Sequence, residues 1–307
     1  MILNGERTRG KDYSGSQSPR TDSEQLLNML LPPPAPVYAD EHLLAFDKPA
    51  GLLAVPGRGP DKADCLSARV QAVWPEALIV HRLDQATSGL ILMARSPRVQ
   101  RLLGDAFAQR RVRKRYEAVV GASAAAVAAA FAAAFTASQP EADEADEWAD
   151  EWADEWPQEQ EAEKDETAAL SAALSATLSA VSAPPGWAAI GLPLLPDWPR
   201  RPRSKVDHAH GKPSLTFWRP AGGGPLPGTA RVALRPITGR SHQLRVHLAA
   251  IGLPIAGDAL YAPPAAQALA PRLLLHASAL QLTHPATGKP LRLASRTQHF
   301  DALCPQA

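Results

Sequence analysis

The chain has 307 residues, of which 45% are hydrophobic, so one large domain or two small ones can bury a real core. Its two cysteines, Cys65 and Cys304, lie far apart, which excludes a disulfide framework and a zinc-ligand spacing. No apolar run reaches the roughly 18 residues of a membrane span, so a reduced, cytoplasmic protein is expected.

A formal net charge of +1 hides an uneven distribution. Residues 121–185 hold fourteen of the 31 acids, from Glu141 to Glu166, and one of the 32 bases, Lys164; the remainder therefore carries 31 bases against 17 acids. That is the balance of a protein that meets a polyanion.

Taken in order, residues 1–34 are rich in Gly, Ser, Arg and Asp and close on Pro32-Pro33-Pro34, which predicts a disordered leader with a short helix near 24–31. Leu43–Phe46 and Leu52–Val55, on either side of Lys48-Pro49-Ala50-Gly51, predict two strands joined by a turn. Residues 64–73 read as a helix with Leu66, Val70 and Val73 on one face, and Cys65 at its start as packing.

Two strand-like runs, Ala77–Val80 and Leu90–Ala94, then enclose the polar loop His81-Arg82-Leu83-Asp84-Gln85-Ala86-Thr87-Ser88-Gly89. Asp84, held between buried strands, is the reactive candidate. The plainer alternative is a turn in which its carboxylate accepts backbone N–H groups near Thr87 and Gly89.

Ser96-Pro97 predicts a capped helix whose stripe is Val99, Leu102, Leu103, Ala106 and Phe107. The basic run Arg110-Arg111-Val112-Arg113-Lys114-Arg115 leads into a strand ending near Val120, and alternation places Lys114 and Tyr116 on one face, Arg113 and Arg115 on the other.

Residues 121–185 read as a low-complexity insert outside the fold, with Asp-Glu-Trp recurring every four residues. A solvated expansion of a surface loop is the favoured explanation, since long loop insertions cost little stability. A partner-binding arm and an RNA mimic are the alternatives.

Asp197-Trp198-Pro199-Arg200-Arg201-Pro202-Arg203-Ser204-Lys205 places four bases beside an aromatic, which suits phosphate contacts and stacking. Strands are predicted near 214–219, 230–236 and 272–283, and a helix from a Ser241 cap to Ile251. Within that helix Leu244, Leu248 and Ile251 share one side, leaving His242 and Arg245 on a stripe that can face a cleft.

His-Arg-Leu-Asp at 81–84 followed by Thr87-Ser88-Gly89 resembles the signature of the RNA pseudouridine synthases. The resemblance extends over Lys48-Pro49-Ala50-Gly51, Lys114-Arg115-Tyr116-Glu117-Ala118, residues 238–247, Gly257-Asp258 and Leu274–Ala277. It implies an α+β pseudouridine synthase fold, with a mixed, mostly antiparallel central sheet, flanking helices and a basic RNA-binding cleft. The catalytic domain would comprise residues 35–120 and 186–300, with a tail at 301–307.

By this resemblance Asp84 is the catalytic carboxylate, Arg245 its charge partner, Tyr116 the base-stacking tyrosine and a candidate acceptor of the C5 proton, and Leu275 the base's other wall. An arginine within about 4–6 Å lowers a carboxylate pKa by roughly 1–3 units. Arg82 would fill the space left by the flipped base. His81, Thr87, Arg113, Lys114, Arg115, Arg200, Arg201, Arg203, Lys205, Arg240 and His242 complete the expected RNA-contacting set. The expected enzyme is a monomer without cofactor or metal, acting on tRNA and 23S rRNA, since the 197–205, 235–241 and 261–276 segments resemble the dual-specificity ribosomal large subunit synthase A group.

The alternatives are another uridine as target, or a catalytically inactive RNA-binding protein. A metallohydrolase on His208, His210, His242, His247, Asp258 and His276 is disfavoured, because His242 and His247 stand five residues apart, not the four that align ligands on a helix.

Overall fold

The computed structural model describes residues 35–59, 62–135, 183–295 and 300. The expected leader, the tail, Cys304 and most of the acidic insert lie outside these residues.

Ten strands form one mixed sheet. Its path runs β1 (Pro36–Ala39), β2 (Leu43–Lys48), β4 (Ser88–Ala94), β11 (Leu275–Thr283), β5 (Arg113–Val120), β10 (Ala230–Pro236), β9 (Thr216–Gly223) and β6 (Ala188–Ile190). β3 (Leu78–Ile79) pairs with β4, and β12 (Pro290–Ala294) pairs with β11. β7 (Leu194–Pro196) and β8 (Ser204–Val206) make a separate hairpin. All pairings are antiparallel except β4 with β11.

That exception positions the site. In β4 every residue is buried, as suits a continuous apolar run covered on both faces. Gly89 pairs with Ala277 of β11, and Ala277 pairs on its other edge with Tyr116 of β5. The end of the Asp84 loop, the start of β11 and Tyr116 therefore share one strip of sheet. Only glycine fits at 89: φ is +112°, and a Cβ would stand 2.3 Å from the Ala277 carbonyl oxygen.

One layer of core packs Leu43, Leu90, Leu92, Val99, Leu103 and Leu280; the opposite layer packs Leu44, Phe46, Leu66, Ile91 and Met93. A third cluster, with Val119, Val232, Leu234, Leu248 and Leu274, fills the other half of the sheet.

Several boundaries differ from expectation for visible reasons. Residues 52–55 form no strand and contribute only a bridge from Leu53 to Cys65, because the buried Lys48 ammonium draws in the Pro49 and Leu52 carbonyls. Helix α1 (Leu66–Gln71) ends before Val73, and Cys65 caps it, its sulfur accepting from the Ala68 N–H. Helix α2 (Pro97–Ala108) is capped by Ser96 as expected, but Leu102 is exposed.

The largest departure is in the insert. Its first part is helix α3 (Ala124–Phe135), docked on the sheet by a fully buried Val127 and by Phe131, whose ring meets Trp218 edge-on at 5.5 Å. Alanine favours helix, and the two larger side chains give this one an apolar contact that the composition alone did not locate. Residue 121 is therefore not the edge of the folded domain. Later, β11 begins at Leu275 rather than at Arg272.

Candidate active site

The loop 81–87 is held from three directions. The His81 ring stacks on Phe107 at 4.4 Å, and its Nε2 accepts the Leu92 N–H at 3.0 Å. Burial, and then the nearby Lys114, bring His81 down to about 3, so it is a neutral acceptor that anchors the loop. The ring face and the acceptor nitrogen are thus engaged within the protein.

From below, the Lys48 ammonium donates to the carbonyls of Pro49, Leu52 and Gln85 at 2.9, 2.7 and 3.2 Å. Gly51 and Gln85 exchange a second pair of hydrogen bonds. Behind the loop, the Ser88 hydroxyl meets His276 Nδ1 at 3.0 Å, while His276 Nε2 meets the Ser295 hydroxyl, which donates to Asp47. Lys48, buried, and Asp47, partly buried, act here through the groups they hold.

These anchors present Asp84 to an open cleft. Its walls include Arg82, Thr87, Lys114, Tyr116, Arg240, His242, Arg245 and Leu275. The Asp84 carboxylate makes no hydrogen bond among the described residues; its own carbonyl, not its side chain, closes the turn to Thr87. The turn-capping alternative is thus absent, and the carboxylate is left for a ligand. The His242 Nε2 lies 3.9 Å from its Oδ2.

The expected Asp84–Arg245 ion pair is not formed. Arg245 shares the cleft, but its Nε and Nη2 bind Asp258 at 2.8 and 2.5 Å, and its guanidinium lies 5.0 Å from the Tyr261 ring. Asp258 is 1% exposed and requires a charge partner, whereas the half-open Asp84 keeps access to water. Asp258 also receives the N–H groups of Leu260 and Tyr261, so the pair fixes that turn.

Tyr116 borders the cleft from β5. Burial, and secondly the Asp84 charge, push its phenol well above the ordinary range, so it stays protonated. Lys114 faces the same side, as alternation predicts; burial, then Arg110, lower its ammonium to about 8. Arg115 points to the other face, 6% exposed and 5.7 Å from the Trp187 ring, and Arg113 shares that parity. Neither lines the cleft with Asp84.

His242 occupies a left-handed backbone position, φ +57°, immediately before helix α4 (Gln243–Ala250). Ser241 does not cap that helix. Instead Gln243 fixes its start, accepting from Thr238 and the Arg240 N–H and donating to Leu215 and Thr216. His242 Nδ1 lies 2.7 Å from the Tyr261 hydroxyl, which accepts the Ser204 N–H at 2.7 Å. Tyr261 opens one of the segments that carry the family resemblance, but nothing in the sequence assigns it a place in the cleft.

The basic loop follows β7. Trp198 is 66% exposed, with the Arg201 guanidinium 3.1 Å from its ring centroid. Arg200 pairs with Asp197, Lys205 with Asp207, and Arg203 donates to the Leu260 carbonyl. The histidines of the metal alternative do not gather: His247 is bound to Ser214, Thr216 and Leu192, and His276 to Ser88 and Ser295. No cluster of three potential metal ligands occurs among the described residues.

Residues 42–250 match the RNA pseudouridylate synthase family. The chain belongs to that family. It is 37% identical over 252 residues to the dual-specificity RNA pseudouridine synthase RluA of Escherichia coli K12, covering 82% of this chain and 88% of that one. The Yersinia pestis protein of the same name is 37% identical over 255 residues, 83% of this chain and 95% of the relative.

Among solved structures, human RNA pseudouridylate synthase domain containing 1 shares the fold, with TM-score 0.55, 21% identity and coverage of 86% and 83%. Human domain containing 4 does so with TM-score 0.52 and 18% identity, over 91% and 97%. The protein is accordingly an α+β RNA pseudouridine synthase, an isomerase whose substrate is RNA. No helix among the described residues is long and apolar enough to cross a membrane.

Proposed function

We propose that this synthase is dual-specific, modifying an anticodon-loop uridine of tRNA and a hairpin uridine of 23S rRNA, as a cytoplasmic monomer that needs no cofactor. The support for its targets is the 37% identity to relatives named for dual specificity. The support for its chemistry is the placement of Asp84, Tyr116 and Leu275 around one cleft rimmed by Arg82, Lys114 and Arg240.

The reaction breaks the bond from uracil N1 to C1′, turns the base and joins C5 to C1′; the C5 proton leaves and N1 gains one. No electrons enter or leave. Asp84 supplies the carboxylate that promotes cleavage and holds the detached sugar or base. Tyr116 and Leu275 grip the base from its two faces while it turns.

Because the phenol is protonated, Tyr116 serves as a wall and a hydrogen-bond donor in the resting enzyme, rather than as a waiting base. Arg245, neutralised by Asp258, braces the wall of the cleft. Arg82, exposed two residues before Asp84, enters the stack vacated by the flipped base, which costs a few kcal/mol to extrude.

Lys114, Arg240 and the Arg200–Lys205 loop hold phosphates, and Trp198 offers a stacking face.

Chemical mapping of pseudouridine in tRNA and 23S rRNA, from cells with and without the protein, tests the targets. Loss at one anticodon-loop and one 23S position is expected; loss in only one RNA class contradicts dual specificity.

A further inference from the structure

We propose that His242 is a positioning residue for the Asp84 carboxylate, held as the Nε2–H tautomer by a hydrogen-bonded chain through Tyr261 to the backbone of Ser204. The inference rests on the reading of Asp84 as the reacting carboxylate.

The chain has a single consistent direction. The Ser204 N–H can only donate, and it donates to the Tyr261 oxygen. The Tyr261 hydroxyl hydrogen is then free to turn toward His242 Nδ1, 2.7 Å away. An Nδ1 that accepts leaves the proton on Nε2, the atom facing Asp84 Oδ2 at 3.9 Å.

The opposite tautomer fails at both ends. It would turn a lone pair toward an anion, and it would give the Tyr261 oxygen two donors while its own hydrogen lost the imidazole. Full protonation is opposed by burial and by Arg245 and Arg82, against which Asp84 and Asp258 pull in the other direction. At 3.9 Å the contact is longer than a hydrogen bond, so a small rotation of the carboxylate onto Nε2–H completes it.

The left-handed backbone at His242 is an unusual conformation for a residue with a Cβ, kept where the ring must point into the cleft. Ser204 opens β8, directly after the Trp198–Arg201 turn. Two hydrogen bonds therefore run from the start of β8 to His242, whose Nε2 stands 3.9 Å from the reacting group.

The test uses the full-length protein with histidine side chains labelled with nitrogen-15. The His242 signals are assigned by their loss in His242→Gln. In the wild type, an unprotonated Nδ1 and a protonated Nε2 are expected, and Tyr261→Phe, which keeps the ring, should give mixed tautomers. A protonated Nδ1 in the wild type overturns the proposal.

Single-turnover rates with saturating RNA supply a second readout. Removing a donor to a charged group is expected to slow His242→Leu about tenfold or more, with partial recovery in His242→Gln, which retains a donor. A wild-type rate in His242→Leu also overturns the proposal. If Asp84→Asn is inert while His242→Leu is fully active, the positioning role alone fails; if Asp84→Asn is active, the reading beneath it fails.

Discussion

Arg245 and Asp258 form a two-pronged ion pair, 2.8 and 2.5 Å, beneath the cleft that holds Asp84. The guanidinium on the cleft wall is thus committed to a buried carboxylate. Substituting Asp258→Asn would leave a buried cation with half its partners, which typically costs about 3–5 kcal/mol. Urea unfolding should show that loss, and Arg245→Lys, which keeps the charge but not the fork, should show a smaller one. Unchanged midpoints in both variants would remove the pair's structural role.

Lys48 supplies a pH signature. It is fully buried, and burial lowers its ammonium to about 8 against an ordinary value of 10.5, with Asp84 and Asp47 opposing the shift. Between those values the unfolded chain binds the proton that the folded chain has released, so stability rises with pH there. The slope contributed by one such group is at most about 1.4 kcal/mol per pH unit. Lys48→Met should lose it, so that wild-type and variant unfolding free energies diverge from pH 8 to 10 instead of running parallel.

Removing Lys114, the proposed phosphate contact on the cleft wall, should separate binding from chemistry. Its ammonium has no hydrogen-bond acceptor among the described residues and lies near Arg110 and on the cleft wall with Arg240. Lys114→Gln should weaken RNA binding to a similar degree for every RNA tested, and reduce the slope of log affinity against log salt by about one. An unaltered slope would place the phosphate elsewhere.

Much of this was legible in the sequence where chemistry and periodicity agreed. The buried run 90–94 marked a central strand, Ser96-Pro97 marked a helix start, and alternation put Lys114 and Tyr116 together and Arg115 behind them. Pairings across the chain were not legible. Nothing in the local sequence shows that Arg245 meets Asp258 rather than Asp84, that His81 spends its acceptor on Leu92, or that Tyr261 reaches His242. Those facts depend on the β4–β11 register and on which carboxylate is deprived of water. Helix α3 was missed for a related reason: an alanine run is ambiguous until Val127 and Phe131 find Trp218.

The most direct measurement is single-turnover conversion of uridine to pseudouridine by Asp84→Asn, on a tRNA anticodon stem-loop that the wild type modifies. The substitution keeps the size of the side chain and removes its charge, at a position whose carboxylate makes no hydrogen bond among the described residues. RNA should still bind, with no pseudouridine formed above background. Product at the wild-type rate would contradict the central role of this carboxylate.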